Sequence, residues 1–434
     1  MRIPVINTDQ TLFSEIVAAV SQVKGQFSQG ERAEDISLIS VESEKAAIDH
    51  INYQTPPLLA LNFSDDQLDV TGIMTTISAD PWLNNGGIIV FYRDSEDQTK
   101  LETFQQNNII ISLPFHEIKN QLGKVLGVVG QNRQMLFHRA IQADFAETIY
   151  GRHLLELDTL IIPCYANLIG NYLFNMGFIE PEARVRINLS LTEMLMNAIE
   201  HGSCGIQSAE KTGYLAKHGS IAGLIAERAA DERFKKRKVT FQYDIQRSHS
   251  TFYIEDEGAG FDWRPLIDKD REVDIFAQHG RGILLTLNSM DEISFNERGN
   301  AVTMRLEHLK NTTNTVPAVF QDQDILVVSR GDEIFRQGEA SDFLYYVAEG
   351  EYHVIVNQKH VATITPSDIL LGEMSFLLDE TRSATVIAAA EGRLIKISKA
   401  AFINNIRSQP YYGLFLAKLL AQRLDRMGRA VSLG

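Results

Sequence analysis

Short apolar runs alternate with helical patterns along the first 130 residues of the chain. The runs with strand character are IPVIN, ISLIS, LLALNF, GIIVFYR and IIISLPF. The segments between them, such as LFSEIVAAVSQV and IKNQLGKVLGVV, repeat apolar residues at helical spacing. Strands that alternate with helices are typical of a doubly wound parallel sheet. The pattern therefore predicts an α/β domain over residues 1–130.

The next segment, residues 131–150, keeps a helical pattern. Its apolar residues Leu136, Phe137, Ile141 and Phe145 are spaced for one face of a helix. We interpret the segment as a connecting helix. Two interpretations of its apolar face stay open, namely contact with a second copy of the chain and packing on its own domain.

A longer helical pattern begins at Pro181 and is predicted to run unbroken to Gly202. Proline suits the first turn of a helix, and the acidic Glu182 favours the positive end of the helix dipole. One polar stripe of this helix contains Glu193, Asn197, Glu200 and His201. Such a stripe either faces water or lines a site, and the first is the commoner case.

Two glycine motifs follow this helix. The apolar strand TFYIED leads into Asp256-Glu257-Gly258-Ala259-Gly260, which leaves a carboxylate at a strand end beside glycines that let backbone approach a ligand. Gly280-Arg281-Gly282 precedes the apolar helix ILLTLNSM, where backbone N–H groups are suited to phosphate. Either motif alone is a weak signal, because a simple turn looks the same.

The pattern changes after the polar linker NTTNTVP. Residues 318–434 contain short strands of alternating polarity with glycines at the turns, which predicts a β-barrel or jelly roll. The candidate chemistry of this domain lies in two stretches that contain Gly372, Glu373, Met374, Ser375, Arg382, Ser383 and Ala384. A single cation and a single acid, with backbone donors from a short helix, suit a ligand with one phosphate charge and one ribose hydroxyl.

Composition narrows the class of protein. A chain of 434 residues with 44% apolar and 22% charged residues is expected to hold about three globular domains. The net charge of −15 disfavours nucleic acid and anionic membranes as partners. Two cysteines in unrelated contexts give no disulfide framework. We find neither a signal peptide nor a membrane span in the sequence and expect a cytoplasmic protein.

Together the three central stretches resemble the N box and the two glycine boxes of the Bergerat-fold (GHKL) ATP-binding superfamily, most closely its bacterial anti-sigma-factor serine kinase branch. The resemblance implies a Bergerat α/β sandwich over residues 151–310 that binds ATP and Mg²⁺. It implies that Asn197 holds Mg²⁺, that Asp256 accepts the adenine amino group and that Glu193 is the general base. The remaining residues that it assigns to ATP are Gly258, Gly260, Gly280, Arg281 and Gly282.

The two flanking domains also resemble known families. The stretches around Glu373 and Arg382 are similar to the phosphate-binding cassette of cyclic-nucleotide-binding domains, with cAMP favoured over cGMP as the ligand. Residues 1–130 resemble a receiver domain of two-component signalling in pattern only. The residues that receivers use are mostly replaced, since only Asp9 remains of the acidic region, Asn62 stands near the acceptor position, and Leu113-Pro114-Phe115 replaces lysine-proline-phenylalanine. Asp65 and Asp66 are interpreted as solvated loop residues, and the domain as a degenerate receiver that serves as a docking surface.

These resemblances imply a multidomain α/β and α+β protein, a cyclic-nucleotide-regulated serine/threonine kinase of bacterial partner switching. The expected partners are a STAS-type antagonist or a sigma factor, and a homodimer is expected. The alternative is a non-catalytic ATP-binding switch that sequesters a sigma factor or another protein. A histidine kinase would require an acceptor histidine on the connecting helix, where His138 is the candidate, and this interpretation is disfavoured.

Overall fold

The computed structural model describes residues 1–23, 36–79, 86–105, 107–136, 148–264, 281–309, 316–417 and 420–421. Their strands form two five-stranded and two four-stranded sheets. None of the described helices combines the length and the apolar character needed to cross a membrane. The sheets divide the chain into an N-terminal, a second and a C-terminal domain.

The N-terminal domain is a doubly wound parallel sheet, as the alternating pattern predicts. Its strands, in the order β2-β1-β3-β4-β5, are β1 (Arg2–Ile6), β2 (Ser37–Val41), β3 (Leu58–Asn62), β4 (Gly87–Tyr92) and β5 (Ile109–Pro114). Its helices are α1 (Gln10–Val23), α2 (Glu44–Asp49), α3 (Val70–Ala79), α4 (Ser95–Leu101) and α5 (Ile118–Gln131). Helices α1 and α5 cover one face, whereas α2, α3 and α4 contribute to the apolar cluster on the other. Coverage of both faces explains why β3 is buried throughout.

Polar residues at the carboxyl end of this sheet bond to one another. The amide of Asn62 donates to the Asn7 side chain at 2.8 Å, and both residues are buried. The Asp65 carboxylate accepts from the backbone N–H of Thr8 at 2.6 Å and from its hydroxyl at 2.8 Å. The interpretation of Asp65 as a solvated loop residue is therefore wrong, because its carboxylate fastens the loop after β3 to the loop after β1. Asp66, in contrast, is exposed.

The second domain consists of one antiparallel sheet and five α-helices among the described residues. Its strands, in the order β6-β7-β8-β10-β9, are β6 (Thr148–Leu155), β7 (Val239–Gln246), β8 (His249–Asp256), β9 (Glu292–Phe295) and β10 (Ala301–Glu307). Its helices are α6 (Ile162–Asn175), α7 (Pro181–Asn197), α8 (Ser208–His218), α9 (Ala222–Ala230) and α10 (Arg281–Leu287). Buried residues alternate with partly exposed ones along β7 and β8, so that one face of the sheet packs on the core.

The predicted connecting helix fits the structure poorly where it can be compared. Thr148–Tyr150 are the first residues of β6, and Met135 and Leu136 are buried in the apolar core. Residues 137–147, which include His138, lie outside the described residues. The apolar side chains of the N-terminal and second domains form one continuous cluster, which includes Val129 of α5 and Leu168 of α6. The two domains therefore share a core.

The C-terminal domain is a sandwich of two four-stranded sheets, in keeping with the predicted jelly roll. One sheet has the order β11-β18-β13-β16 and the other the order β12-β17-β14-β15. The strands are β11 (Asp324–Val328), β12 (Glu333–Phe335), β13 (Phe343–Glu349), β14 (Tyr352–Val356), β15 (Lys359–Ile364), β16 (Leu370–Leu371), β17 (Thr385–Ala388) and β18 (Gly392–Ser398). The helices are α11 (Glu373–Leu378) and α12 (Lys399–Ser408), and residues 411–417 are also helical. Tyr412 and Leu416 of that last segment are buried on the domain, and Tyr411 contacts Tyr53 of the N-terminal domain edge to face.

The contrast between Asp65 and Asp66 leads to a stability prediction. Asp65→Ala removes the acceptor for the Thr8 N–H and hydroxyl, and an unpaired buried polar group costs about 1–3 kcal/mol. Asp66→Ala changes an exposed side chain and is the matched control, expected within about 0.5 kcal/mol of wild type. Urea unfolding of the full chain measures both. Equal stability of the two variants would contradict the role that we assign to Asp65.

Candidate functional site

Helix α7 presents two of the predicted polar residues at its carboxyl-terminal half. Pro181 occupies its first turn, and the helix keeps α geometry to Asn197. Glu193 is exposed and Asn197 is partly buried. The chain stays helical over Ala198–Ser203 but with π geometry, so the helix runs unbroken past Gly202 as predicted while the α spacing assumed for its last turn is wrong. A wider turn rotates the following residues away from the stripe that α spacing gives.

The π turn separates Glu200 from the other stripe residues. Glu200 is 1% exposed, and its carboxylate lies 2.5 Å from the Lys211 ammonium of α8. The His201 Nδ1 atom lies 2.6 Å from the carbonyl oxygen of Ile206. The carboxylate of Glu200 thus fastens α8 to the end of the long helix. It does not share the exposed face with Glu193 as the stripe predicted.

Asp256 is the last residue of β8, and its carboxyl group lies against the backbone of Gly202 and Gly258. Its carboxyl group accepts from the Gly258 N–H at 2.7 Å. A Cβ on Gly202 would overlap the Asp256 carboxyl group, and a Cβ on Gly258 would overlap the Gly202 carbonyl. Burial raises the pKa of Asp256 from its ordinary 3.8 to about 6. The structure therefore brings the end of the long helix and the first glycine motif together around one carboxyl group.

The hairpin between β9 and β10 holds the first glycine motif in place. The Asn300 side chain donates to the Asp256 backbone carbonyl at 2.6 Å, and the backbone carbonyl of Asn300 accepts from the Asp256 N–H at 2.9 Å. Arg298 donates to the carbonyls of Gly258 at 2.7 Å and Ala259 at 3.3 Å. Gly260 has φ +80°, and a Cβ there would overlap the Arg298 carbonyl. These contacts fix the loop through the protein's own groups.

The second glycine motif meets the other end of the polar stripe. Helix α10 begins at Arg281, and a Cβ on Gly282 would lie 2.5 Å from the Glu193 carboxylate. Gly280 lies outside the described residues, and so does the side chain of Arg281. The structure thus places Glu193 beside the backbone of Gly282.

One helix therefore links the two glycine motifs. Glu193 and Gly202 are nine residues apart in the sequence, which corresponds to about 13 Å along a helix axis. The Glu193 end carries an exposed carboxylate next to Gly282, and the Gly202 end carries the buried carboxyl of Asp256. The two carboxyl groups thus differ in exposure, and the distance between them suits an elongated ligand. We call this surface the polar floor; it consists of Glu193, Asn197, Gly202, Asp256 and Gly282.

The C-terminal domain has its own candidate site around Arg382. The guanidinium is 3% exposed and lies 4.1 Å from the centre of the Phe335 ring. It donates to the Gly372 carbonyl at 2.9 Å, to the Ser375 hydroxyl at 3.2 Å and to the Phe343 carbonyl. Burial lowers the pKa of Arg382. The cation is thus held in one orientation by neutral groups.

The other predicted residues of this site surround the short helix α11. Gly372 precedes the helix with φ +77°, where a Cβ would overlap the Arg382 guanidinium. The described environments of the rest differ: Glu373, Ser375 and Ala384 are buried, whereas Met374 and Ser383 are exposed. The two predicted stretches meet through the Arg382 bonds to Gly372 and Ser375, as their chemistry required.

Sequence reasoning missed the residues that hold the site together. Asn300 and Arg298 clamp the glycine loop, and Lys211 pairs with Glu200. The polar turn Asn296–Asn300 before β10 is the sequence feature that could have indicated Asn300 and Arg298. No sequence spacing indicated Lys211, because its partner lies on another helix.

Comparisons with known proteins identify two of the domains. Residues 325–409 match the family described as a cyclic nucleotide-binding domain. Residues 171–306 match the family described as a histidine kinase-like ATPase domain. The second match contains α7, Asp256 and α10, so the polar floor lies within the ATPase domain.

Individual relatives match only part of the chain. The cAMP-dependent protein kinase type II regulatory subunit of Drosophila melanogaster is 31% identical over 103 residues, which is 24% of this chain and 26% of that protein. The Cyclic AMP receptor protein of Thermus thermophilus is 34% identical over 100 residues, 22% of this chain and 46% of that protein. The chain thus spans less than half the length of either relative. The crystal structure of Thermus thermophilus Catabolite Activator Protein matches with 28% identity and a TM-score of 0.25, covering 26% of this chain and 56% of that one.

The raised pKa of Asp256 predicts a pH-dependent stability difference. A carboxyl whose pKa rises on folding adds stability below pH 4, and this contribution disappears as the pH rises through about 6. Asp256→Asn keeps an acceptor for the Gly258 N–H without the charge, so its stability relative to wild type should increase between pH 4 and 7. The increase is at most about 3 kcal/mol.

Calorimetric melting of the full chain at several pH values measures this difference. Asp262→Asn, an exposed acid of the same loop, is the control and should track wild type at every pH. A constant offset between Asp256→Asn and wild type across this range would contradict the raised pKa.

Proposed function

We propose that this protein is a cyclic-nucleotide-regulated, ATP-dependent serine/threonine protein kinase of the anti-sigma type. The observation that carries the proposal is the placement of Glu193 and Asn197 on one helix between the two glycine motifs. Glu193 is the exposed group at the Gly282 end, and Asp256 is the buried group at the Gly202 end. The match to a histidine kinase-like ATPase domain supports ATP as the ligand of this floor.

The proposed orientation of ATP follows from the groups at the two ends of the polar floor. The Asp256 carboxyl accepts the adenine amino group, and the glycines beside it let the flat base approach the backbone. The phosphates then lie towards Gly282 and the start of α10. The amide oxygen of Asn197 is a hard oxygen donor, which fits Mg²⁺ bound mainly through phosphates and water. The ion would neutralise phosphate charge during transfer.

Glu193 is the proposed general base. Its carboxylate is exposed, so a serine hydroxyl of a partner protein can reach it. The base takes the hydroxyl proton as the oxygen bonds to the γ-phosphorus and the bond to ADP breaks. A STAS-type antagonist is the proposed substrate. A pocket that binds ATP without transfer would instead serve to sequester a sigma factor or another protein.

The C-terminal domain is the proposed sensor. Arg382 is the cation for the cyclic phosphate, and Glu373 is the acceptor for the ribose hydroxyl. The matched family supports a cyclic nucleotide as the ligand, and the two relatives named for cAMP favour that nucleotide. We also propose that the N-terminal domain is a degenerate receiver, since the amide of Asn62 cannot take up a phosphoryl group as an aspartate does. We propose in addition that the protein is a homodimer and that it is located in the cytoplasm.

Two substitutions on α7 test the kinase. Asn197→Ala removes the Mg²⁺ ligand and should abolish Mg²⁺-dependent ATP binding. Glu193→Gln should keep ATP affinity and slow phosphoryl transfer to a STAS-type antagonist by about a hundredfold or more, as expected for a lost general base. Transfer from labelled ATP measures the rate, and calorimetry measures the affinity.

Glu182→Gln is the matched control because Glu182 is an exposed acid in the first turn of the same helix. It should leave both quantities unchanged. Equal transfer rates in wild type and Glu193→Gln would remove the base assignment. ATP binding without any transfer in wild type would favour sequestration.

Two substitutions in the C-terminal domain test the sensor. Arg382→Ala removes the proposed cation and should abolish cAMP binding while ATP affinity stays unchanged. Arg382→Lys keeps a charge but cannot donate to the Gly372 and Phe343 carbonyls at once as the guanidinium does, so its cAMP affinity should also fall. Arg336→Ala, at an exposed arginine of the same domain, should bind cAMP as wild type does.

Coupling between the two nucleotides is measured by titrating cAMP with and without ATP. A regulatory sensor requires a reciprocal change of about fivefold or more in affinity. Identical cAMP affinities in both states would show that the sensor is not coupled to the ATP site.

A further inference from the structure

Strand β5 is the last strand of the N-terminal sheet, so one of its edges has no neighbouring strand. Two asparagine side chains of α6 cover this edge. Asn167 donates to the Ile110 carbonyl at 3.0 Å, and Asn171 donates to the Ile109 carbonyl at 3.2 Å. Uncovered edges expose backbone groups that pair with other chains. Helix α6 therefore closes the sheet with side-chain amides at the place where a sixth strand would lie.

The same helix fixes α7 on its other side. The amide groups of Asn167 and Asn188 lie 2.9 Å apart. Gly170 faces the Asn188 amide so closely that a Cβ there would overlap it. The helix that carries Glu193 and Asn197 is thus packed on the helix that closes the N-terminal sheet.

Arg184 connects α7 directly to the N-terminal domain. It is 2% exposed, and its guanidinium donates to the Gln105 carbonyl at 2.9 Å and to the Asn108 side chain at 3.4 Å. It also lies 4.6 Å from the centre of the Phe174 ring of α6. Gln105 and Asn108 belong to the connection that leads into β5. A residue of the helix with the candidate catalytic groups is therefore anchored in a loop of the other domain.

The geometry of this contact restricts the position of α7. A guanidinium is a planar fork, so its bonds to two acceptors and its stacking on a ring are satisfied together in one arrangement. Burial lowers the pKa of Arg184 to about 10, which still leaves it charged at neutral pH. A buried cation that loses its partners is costly. Movement of α7 along its axis would break these contacts.

We propose that Arg184 is a positioning residue through which the N-terminal domain sets the position of Glu193 and Asn197. Glu193 follows Arg184 by nine residues and Asn197 follows it by thirteen, all on one continuous α-helix. A helix moves as a unit, and shifts of about 1–2 Å are a common way for packed helices to respond to a ligand. The inference rests on the proposed ATP site. It means that the N-terminal domain acts on the ATPase domain of the same chain.

Other contacts keep the two domains together when Arg184 is replaced. The Tyr243 hydroxyl of β7 donates to the Asn132 side chain at the end of α5, and Gln134 donates to that hydroxyl at 3.4 Å. The shared apolar core is also independent of Arg184. Arg184→Met fills a similar volume, and buried charges replaced by apolar groups of similar size are often tolerated. The variant is therefore expected to fold, with α7 still packed on α6 but no longer anchored in the loop before β5.

Hydrogen exchange of the full chain, with and without ATP and Mg²⁺, tests the proposal. In wild type, ATP should slow exchange at residues 254–260 and also at 109–113, because coupling is reciprocal. In Arg184→Met the effect at 254–260 should persist, whereas the effect at 109–113 should fall by about fivefold or more. Arg184→Gln is a second variant with the same expectation. Arg186→Gln, at an exposed arginine of the same helix, should behave as wild type.

The outcomes separate the inference from the proposed function. An ATP effect at 109–113 that is as large in both Arg184 variants as in wild type would overturn the role of Arg184. The role of Arg184 would also be overturned if ATP protected residues 254–260 in wild type but did not protect residues 109–113. Absence of any ATP effect at 254–260 in wild type would overturn the ATP site itself.

Discussion

The open edge of the N-terminal sheet is buried inside the protein, and its carbonyl groups must find donors there. Asn167 and Asn171 supply them from the helix next to the candidate catalytic helix. Separation of the two domains would exchange these donors for water but would also expose the shared apolar core, which costs free energy. The N-terminal and ATPase domains are consequently one structural unit. The C-terminal sandwich is different, because the apolar clusters of its described residues contain no residue of the other domains.

Sequence patterns located the individual elements well and their mutual packing poorly. The apolar runs of the first domain coincide with β1 to β5, and β3 and β4 are buried on both faces, which leaves little room for polar residues. Apolar periodicity says that a face is buried but not what covers it, so the shared core was not predictable. Arg184 and Asp65 illustrate the same limit. A lone charged residue is usually solvated, and only the tertiary structure shows that these two are buried with partners on distant segments.

The glycines of the candidate site are also required by the protein's own packing, which the sequence did not indicate. Glycine was expected to let backbone approach a ligand. In the structure a side chain at Gly202, Gly258 or Gly260 would overlap the protein's own atoms, in the Asp256 carboxyl, the Gly202 carbonyl and the Arg298 carbonyl. The shape of the floor is therefore set before any nucleotide arrives. The π turn at Ala198–Ser203 had no local sequence signal.

The covered edge of β5 also bears on how the chain is made. The residues that cover it lie on α6, which ends 61 residues after the end of β5 at Pro114. At ribosomal rates of about 5–20 residues per second, that segment takes about 3–12 s to synthesise. During this interval the nascent N-terminal sheet has an apolar face and an unpaired strand edge, both of which favour association between chains. Helix α6 can therefore cover this edge only after residues 115–175 have been made, and we expect slow translation of this segment to lower the yield of folded protein.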